Sequence, residues 1–270
     1  MSIENSQTEE NPDSSKSYED LPNVKLCESE LQSLLESSVN NDDLADKAKE
    51  LIYKMLTQRS DFVKNTYGAG KDALEYMANF QPQREWYRNT RESLESAISS
   101  REGLAWNSNP GWFGIDTRSE VDKREGNNLK VYTTIPVSEY SFIQHVPKLA
   151  DELRKLAIET DDKISIKIPE SLSGFMSHND SVVLHFKDQK NTEKIQEIMN
   201  SWMNAHDIHE SPREMGRTKV AADSSEGSFS ELVAKNIAVW LKEYAGKYKS
   251  DLLASEAVKH AIKQSQTTPF

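Results

Sequence analysis

The residues with the clearest chemical potential are cations spread over the second half of the chain. Lys130 stands in an apolar, β-branched stretch, and Lys167 sits between Ile166 and Ile168 on the polar side of an alternating run. Arg213, Arg217 and Lys219 cluster in one loop, and Lys235 lies on the helix predicted to follow it. Cations gathered from a sheet and its neighbouring loop form a local anion site. Lysines on an exposed strand face are common, so the same pattern also fits a solvated surface.

Other chemistries leave weaker traces. Gly68-Ala69-Gly70-Lys71 resembles half of a phosphate loop, but Asn65 stands where the first glycine is required and Asp72 where Ser or Thr is required. There is no GxSxG elbow, no HExxH and no kinase signature. His206 and His209 flank Asp207 in a polar segment at a helix end, a better match to a solvated surface than to a chelate. His185 is a lone histidine inside a strand, so no metal or other cofactor is expected. The single cysteine, Cys27, excludes an internal disulfide framework and a zinc ribbon.

Composition narrows the partners. The 270 residues carry 33 Lys+Arg against 44 Asp+Glu, a net charge of −11, and mean hydropathy is −0.74. A global field of that sign disfavours nucleic acid and anionic lipid as main partners. No apolar run approaches the ~18–20 residues needed to cross a bilayer, and the Ser/Glu-rich start has no signal-peptide core. The expectation is a cytoplasmic protein, with secretion into a host cell as the alternative.

The elements that must position these cations follow from periodicity. Residues 1–22 are too polar to offset their chain entropy and read as a disordered acidic tail. Residues 23–102 read as a helical module, with Leu44, Ala48, Leu51, Ile52 and Met55 on one helix face and a short helix over 71–79. Residues 103–249 change texture. Leu129–Ile135, Lys163–Ile168 and Ser181–Phe186 predict strands, whereas 139–157, 192–204 and 228–248 predict helices. The segment 107–114 reads as an aromatic turn and 212–228 as a loop holding at most one short strand. Residues 250–270 add a final helix and tail. The fold class is α+β, a helical module followed by a small mixed sheet packed with helices.

Residues 110–245 resemble, in order and spacing, the HopA-type type III secretion effectors and the related lyase components of class V lanthipeptide synthetases. Gly111-Trp112-Phe113 leads to Lys130-Val131-Tyr132, which is similar to the family's Arg-Val-Tyr strand. Ile166-Lys167-Ile168 resembles its Leu-Lys-Val strand, and Asn179-Asp180-Ser181-Val182-Val183-Leu184 its Arg-Asp-Ala-Ala-Val-Leu strand. Arg217-Thr218-Lys219 looks like its Phe-Thr-Lys, and Gly227-Ser228-Phe229 like the Glu-Ser-Phe-Gly that opens its last helix. Each motif is short; the shared order carries the resemblance.

The resemblance implies elimination of phosphate from phosphoserine or phosphothreonine in a peptide or protein. Lys167 matches the residue that would act as base, which requires an amine pKa lowered by burial or positive neighbours. Lys130, Arg217, Lys219 and Lys235 would hold the phosphate, and Tyr132 and His185 are candidate proton donors. A separate kinase or a secretion chaperone would be further partners. Two departures weigh against activity. Val233 stands where the family has an arginine, with Lys235 as a partial substitute, and Asn179 replaces another arginine. Losing one guanidinium fork removes ~1.5–3 kcal/mol of charge-assisted binding. A catalytically degenerate effector or adaptor that binds a partner is the alternative, and a chance resemblance in an unrelated α+β protein is the third. The lyase reading expects Lys167 and Lys219 to meet in a cleft.

Overall fold

Alternating isoleucines at 164, 166 and 168 need one buried face, and the sheet built around them supplies it. The computed structural model describes residues 18–37, 41–64, 78–117, 129–211, 213–214, 217, 219–223 and 228–267. The short helix expected over 71–79 and most of the acidic tail fall outside these residues. Tyr18–Asp20 is a 3-10 turn leading into the first helix.

The helices α1 (Pro22–Glu36), α2 (Asn41–Thr57), the single turn α3 (Ser60–Val63) and α4 (Gln81–Ser99) precede the strands β1 (Ala105–Asn109), β2 (Trp112–Asp116) and β3 (Leu129–Thr133). A 3-10 stretch Val137–His145 then runs into α5 (Val146–Thr160), where Pro147 sits in the first turn. The chain continues through β4 (Ser165–Pro169), α6 (Leu172–Ser177), β5 (Val182–Phe186), α7 (Thr192–Ala205), β6 (Val220–Ala222), α8 (Phe229–Tyr244) and α9 (Ser250–Gln266). This is an α+β fold with helices at its N-terminus.

The sheet has six strands in the order β1-β2-β4-β5-β3-β6, and every described pairing is antiparallel. The sequence led to the expectation of a mixed sheet; all neighbours are antiparallel because β3 and β4, which run in one direction, are separated by β5, and β5 and β6, which run in the other, by β3. β1 and β2 were also not expected as strands. They form a hairpin through Gly111, whose φ of +77° suits glycine at a tight turn. Among the described residues no helix is long and apolar enough to cross a membrane.

One sheet face is hydrocarbon. Phe113, Ile115, Ile166, Ile168, Leu184, Phe186, Leu129 and Val131 pack there with α4, α5 and α7 into the main core. A second core joins α1 and α2 to α8 and α9. The first and last helices thus share one core, while α4 contributes Tyr87, Leu94 and Ile98 to the sheet core.

Arg59, buried between α2 and α3, links the two layers. Its Nε donates to His178 O at 2.7 Å, and its Nη2 donates to Ile135 O at 2.7 Å and Ser181 Oγ at 3.0 Å. Asn179 is likewise engaged, its Nδ2 donating to Gln58 O at 2.9 Å. Replacing Arg59 by alanine removes the charged donor from His178 O and leaves Ile135 O only the 3.3 Å bond from Ser181 Oγ, so urea denaturation of Arg59→Ala should show a loss of about 2–4 kcal/mol. Arg59→Lys should recover less than half, because one ammonium cannot span the three acceptors of the planar fork.

Candidate active site

The second face of the sheet is polar, and strand alternation decides which residues share it. Lys167 pairs across the ladder with Gly114 on β2 and Val183 on β5, and Val183 pairs with Tyr132 on β3. In the adjacent row, Asp116, Ser165, His185, Lys130 and Ala221 face one another in turn. Lys167, Tyr132, His185 and Lys130 therefore lie on one face. Gly114 keeps the position beside Lys167 without a side chain: a Cβ there would stand 2.3 Å from Asn107 Oδ1.

Lys167 is half-buried, with its Nζ 4.8 Å from the centre of the Trp112 ring. The His178 ring also packs on Trp112, with centroids 5.2 Å apart. Burial lowers the pKa of His178; Asp180 opposes this, while Lys167 and Arg59 add to it. The imidazole is therefore neutral at neutral pH and able to accept a proton.

Beyond Tyr132 lies an ionic cluster. The Arg213 guanidinium stacks 4.2 Å above the Tyr132 ring, and its Nη2 donates to Asp180 Oδ1 at 2.6 Å. Arg217 is buried between α2 and α8, donating to Leu56 O and, at 2.7 Å, to Ser230 Oγ. Burial pushes its pKa down to about 10, the Arg213 charge acting in the same direction and Asp180 against it. It remains a cation at neutral pH. Lys130 pairs with Asp223 at 2.5 Å. Burial, reinforced by Asp180 and Asp223, raises the Tyr132 phenol and keeps it a neutral donor across physiological pH.

The structure does not bring all the sequence-predicted residues together. Lys219 continues the row of Tyr132, its carbonyl accepting from Tyr132 N at 2.9 Å. It stands three strand spacings from Lys167, about 14 Å between backbones. Its exposed amine is held by Glu210 at 2.6 Å. Lys167 and Lys219 thus share a side of the sheet but do not share a cleft. Lys235 lies on the exposed side of α8, and Val233 is buried in the helical core. His178, Asp180, Trp112 and Asp223 were not identified from sequence as site residues, and Arg213 only as part of a loop cluster. The one signal for Asp180 was its position directly before a strand; alternation groups it with Val182 and Leu184, whose face is the core, so periodicity gave no pointer to the site.

His206 stacks on His145 at 4.1 Å, whereas His209 bonds Glu139 at 2.7 Å, so the two histidines serve different neighbours. Among the described residues no group of three His, Cys, Asp or Glu could hold a metal. Cys27 is buried, and burial raises its thiol pKa, leaving it an unreactive thiol.

Among the described residues, Lys130, Lys167, Arg213 and Arg217 stand with Asp116, Asp180 and Asp223 on or beside this face, a surplus of one positive charge in a chain of net charge −11. Such a face can attract and hold a dianion. Comparison with protein-family models, with curated proteins and with solved structures finds no match to this chain.

Two carboxylates of this region make opposite pH contributions. Burial alone would raise Asp180, but Arg213 and Arg217 outweigh it and hold the carboxyl below its ordinary 3.8. Its stabilisation is present above that value and is lost as pH falls through the folded-state pKa. Glu214 is raised above 4.5 by burial, although bonds from Ser60 oppose the shift. Its contribution is full below 4.5 and is lost as pH rises through the folded-state pKa. Urea titrations should show Asp180→Asn about 3–5 kcal/mol less stable near neutrality, because a buried guanidinium loses its partner. That gap should narrow below pH 3.8, whereas wild type should lose ground to Glu214→Gln as pH rises above 4.5. Gaps independent of pH would refute the assignment.

Proposed function

We propose that the polar sheet face binds the phosphoryl group of a phosphorylated serine or threonine in a peptide and eliminates it as phosphate. The observation that supports this reading is the surplus of positive charge around Tyr132, with a half-buried lysine on the same face. The phosphoryl oxygens would lie toward Arg213 and Lys130, whose charge stabilises the leaving dianion. Lys167, as the neutral amine, takes the Cα proton and becomes ammonium. The C–H electron pair forms the Cα=Cβ bond as the Cβ–O bond breaks, giving a dehydroamino acid and phosphate. The neutral Tyr132 phenol donates a hydrogen bond to the departing oxygen. The chain has no kinase signature, so the phosphorylated substrate comes from a separate enzyme.

A second reading has its own observation. Arg213, Lys130 and Lys219 are each engaged by a carboxylate of the chain, Asp180, Asp223 and Glu210 respectively. A face neutralised in this way suits a protein that binds a peptide partner without turning it over.

A phosphothreonine peptide incubated with the protein and followed by mass spectrometry separates the two. Loss of phosphoric acid with wild type, falling to the uncatalysed level in Lys167→Ala while peptide binding persists, supports the lyase. Phosphate-dependent binding without loss identifies the binder. If neither loss nor binding is seen, both readings fail.

A further inference from the structure

We propose that an arginine stripe on α4, outside the sheet site, docks an acidic polypeptide segment. Arg84, Arg88 and Arg91 follow one another at i, i+4 and i+7, the spacing that places side chains on one helix face. They line a cavity of about 320 Å³, closed on its other side by Glu170 and Ser171 at the end of β4. Arg84 and Arg88 are exposed, and their guanidinium groups make no ion pair or hydrogen bond among the described residues. Arg91 reaches Glu170 only at 3.8 Å, the outer limit of an ion pair.

The frame beneath the stripe is rigid. Tyr87, fully buried between these arginines in the sequence, donates its phenol to Pro169 O at 2.9 Å, and Glu170 N donates to Gly111 O at 2.9 Å. The guanidinium stems are therefore presented from a fixed backbone while their heads stay open to solvent.

Spacing selects the ligand. At 1.5 Å per residue, Arg84 and Arg88 are about 6 Å apart along the axis and Arg91 about 4.5 Å further. Alternate side chains of an extended strand recur about every 6.6–6.8 Å. An acidic residue at every second position thus sets one carboxylate against each of the first two forks, and guanidinium–carboxylate pairs can be bidentate. Glu85, between Arg84 and Arg88 in the sequence, lines the same cavity, Glu92 follows Arg91, and Glu170 borders the cavity. Those carboxylates, with the net charge of −11, repel a continuous polyanion such as RNA more than they repel discrete side chains.

The test is fluorescence anisotropy with a labelled peptide of alternating Glu and Gly, against the same peptide carrying Gln. Because it uses no phosphate and no turnover, it is independent of the reading of the sheet face. At about 0.05 M salt, wild type should bind the Glu peptide and not the Gln peptide, and binding should weaken at about 0.3 M. Arg84→Glu/Arg88→Glu should weaken binding at least about tenfold, with unchanged circular dichroism since both residues are exposed. Lys167→Ala should leave binding unchanged. Equal binding of the Gln peptide, an effect of the double variant below about twofold, or stronger binding of a single-stranded oligonucleotide of equal charge would each overturn the proposal.

Discussion

Arg213, Arg217 and Lys130 are all buried on or behind one sheet face, and burying a charge is expensive unless partners replace its water. The partners are specific. Asp180 lies 2.6 Å from Arg213, Asp223 lies 2.5 Å from Lys130, and Leu56 O and Ser230 Oγ take the Arg217 fork. Each partner comes from a different part of the chain, so the cluster forms only when sheet, loop and helices have all arrived. The pairs therefore act as a registration device at least as much as a source of net stability, since buried ion pairs often gain little over hydrocarbon.

That requirement explains why the helical layer matters to the site. Arg213, Glu214 and Arg217 lie outside the strands and α-helices, and their contacts reach into the helical layer. The Glu214 carboxylate accepts from Ser60 N and Ser60 Oγ, and Asn23 Nδ2 reaches it at 3.4 Å. Arg217 reaches the end of α2, while Lys219 O joins the ladder to Tyr132. Phe229, at the start of α8, packs on both the helical core and the small cluster of Tyr132, Val183 and Ala221.

Much of this was legible in the sequence where the signal is local. The run from Lys163 to Ile168 alternates, so β4 and the outward direction of Lys167 followed from period alone, as did the buried stripe of Leu149, Leu153 and Leu156 on α5. The hairpin β1–β2 was not legible, because Asn107, Ser108 and Asn109 have poor strand propensity and sit on a half-exposed edge strand. The ionic partners were not legible for a different reason. Arg59 serves His178 and Ser181 across more than a hundred residues, and Asp180 serves Arg213 across 33. Periodicity carries no information about such pairs. Sequence could identify the cations but not which carboxylate each would meet.

Arg213, Lys130 and Lys219 each meet a carboxylate, and the Lys167 amine lies over the face of the Trp112 indole, on which His178 also packs. An indole face attracts a cation but does not neutralise it as a carboxylate does. The glycine opposite Lys167 leaves its place to the Asn107 side chain, which fills the space a Cβ would take. Carboxylate-held cations are oriented before any ligand arrives, which suits them to fix a dianion without reorganising. In the elimination proposed above, these fixed charges would hold the leaving group while Lys167 would take the proton.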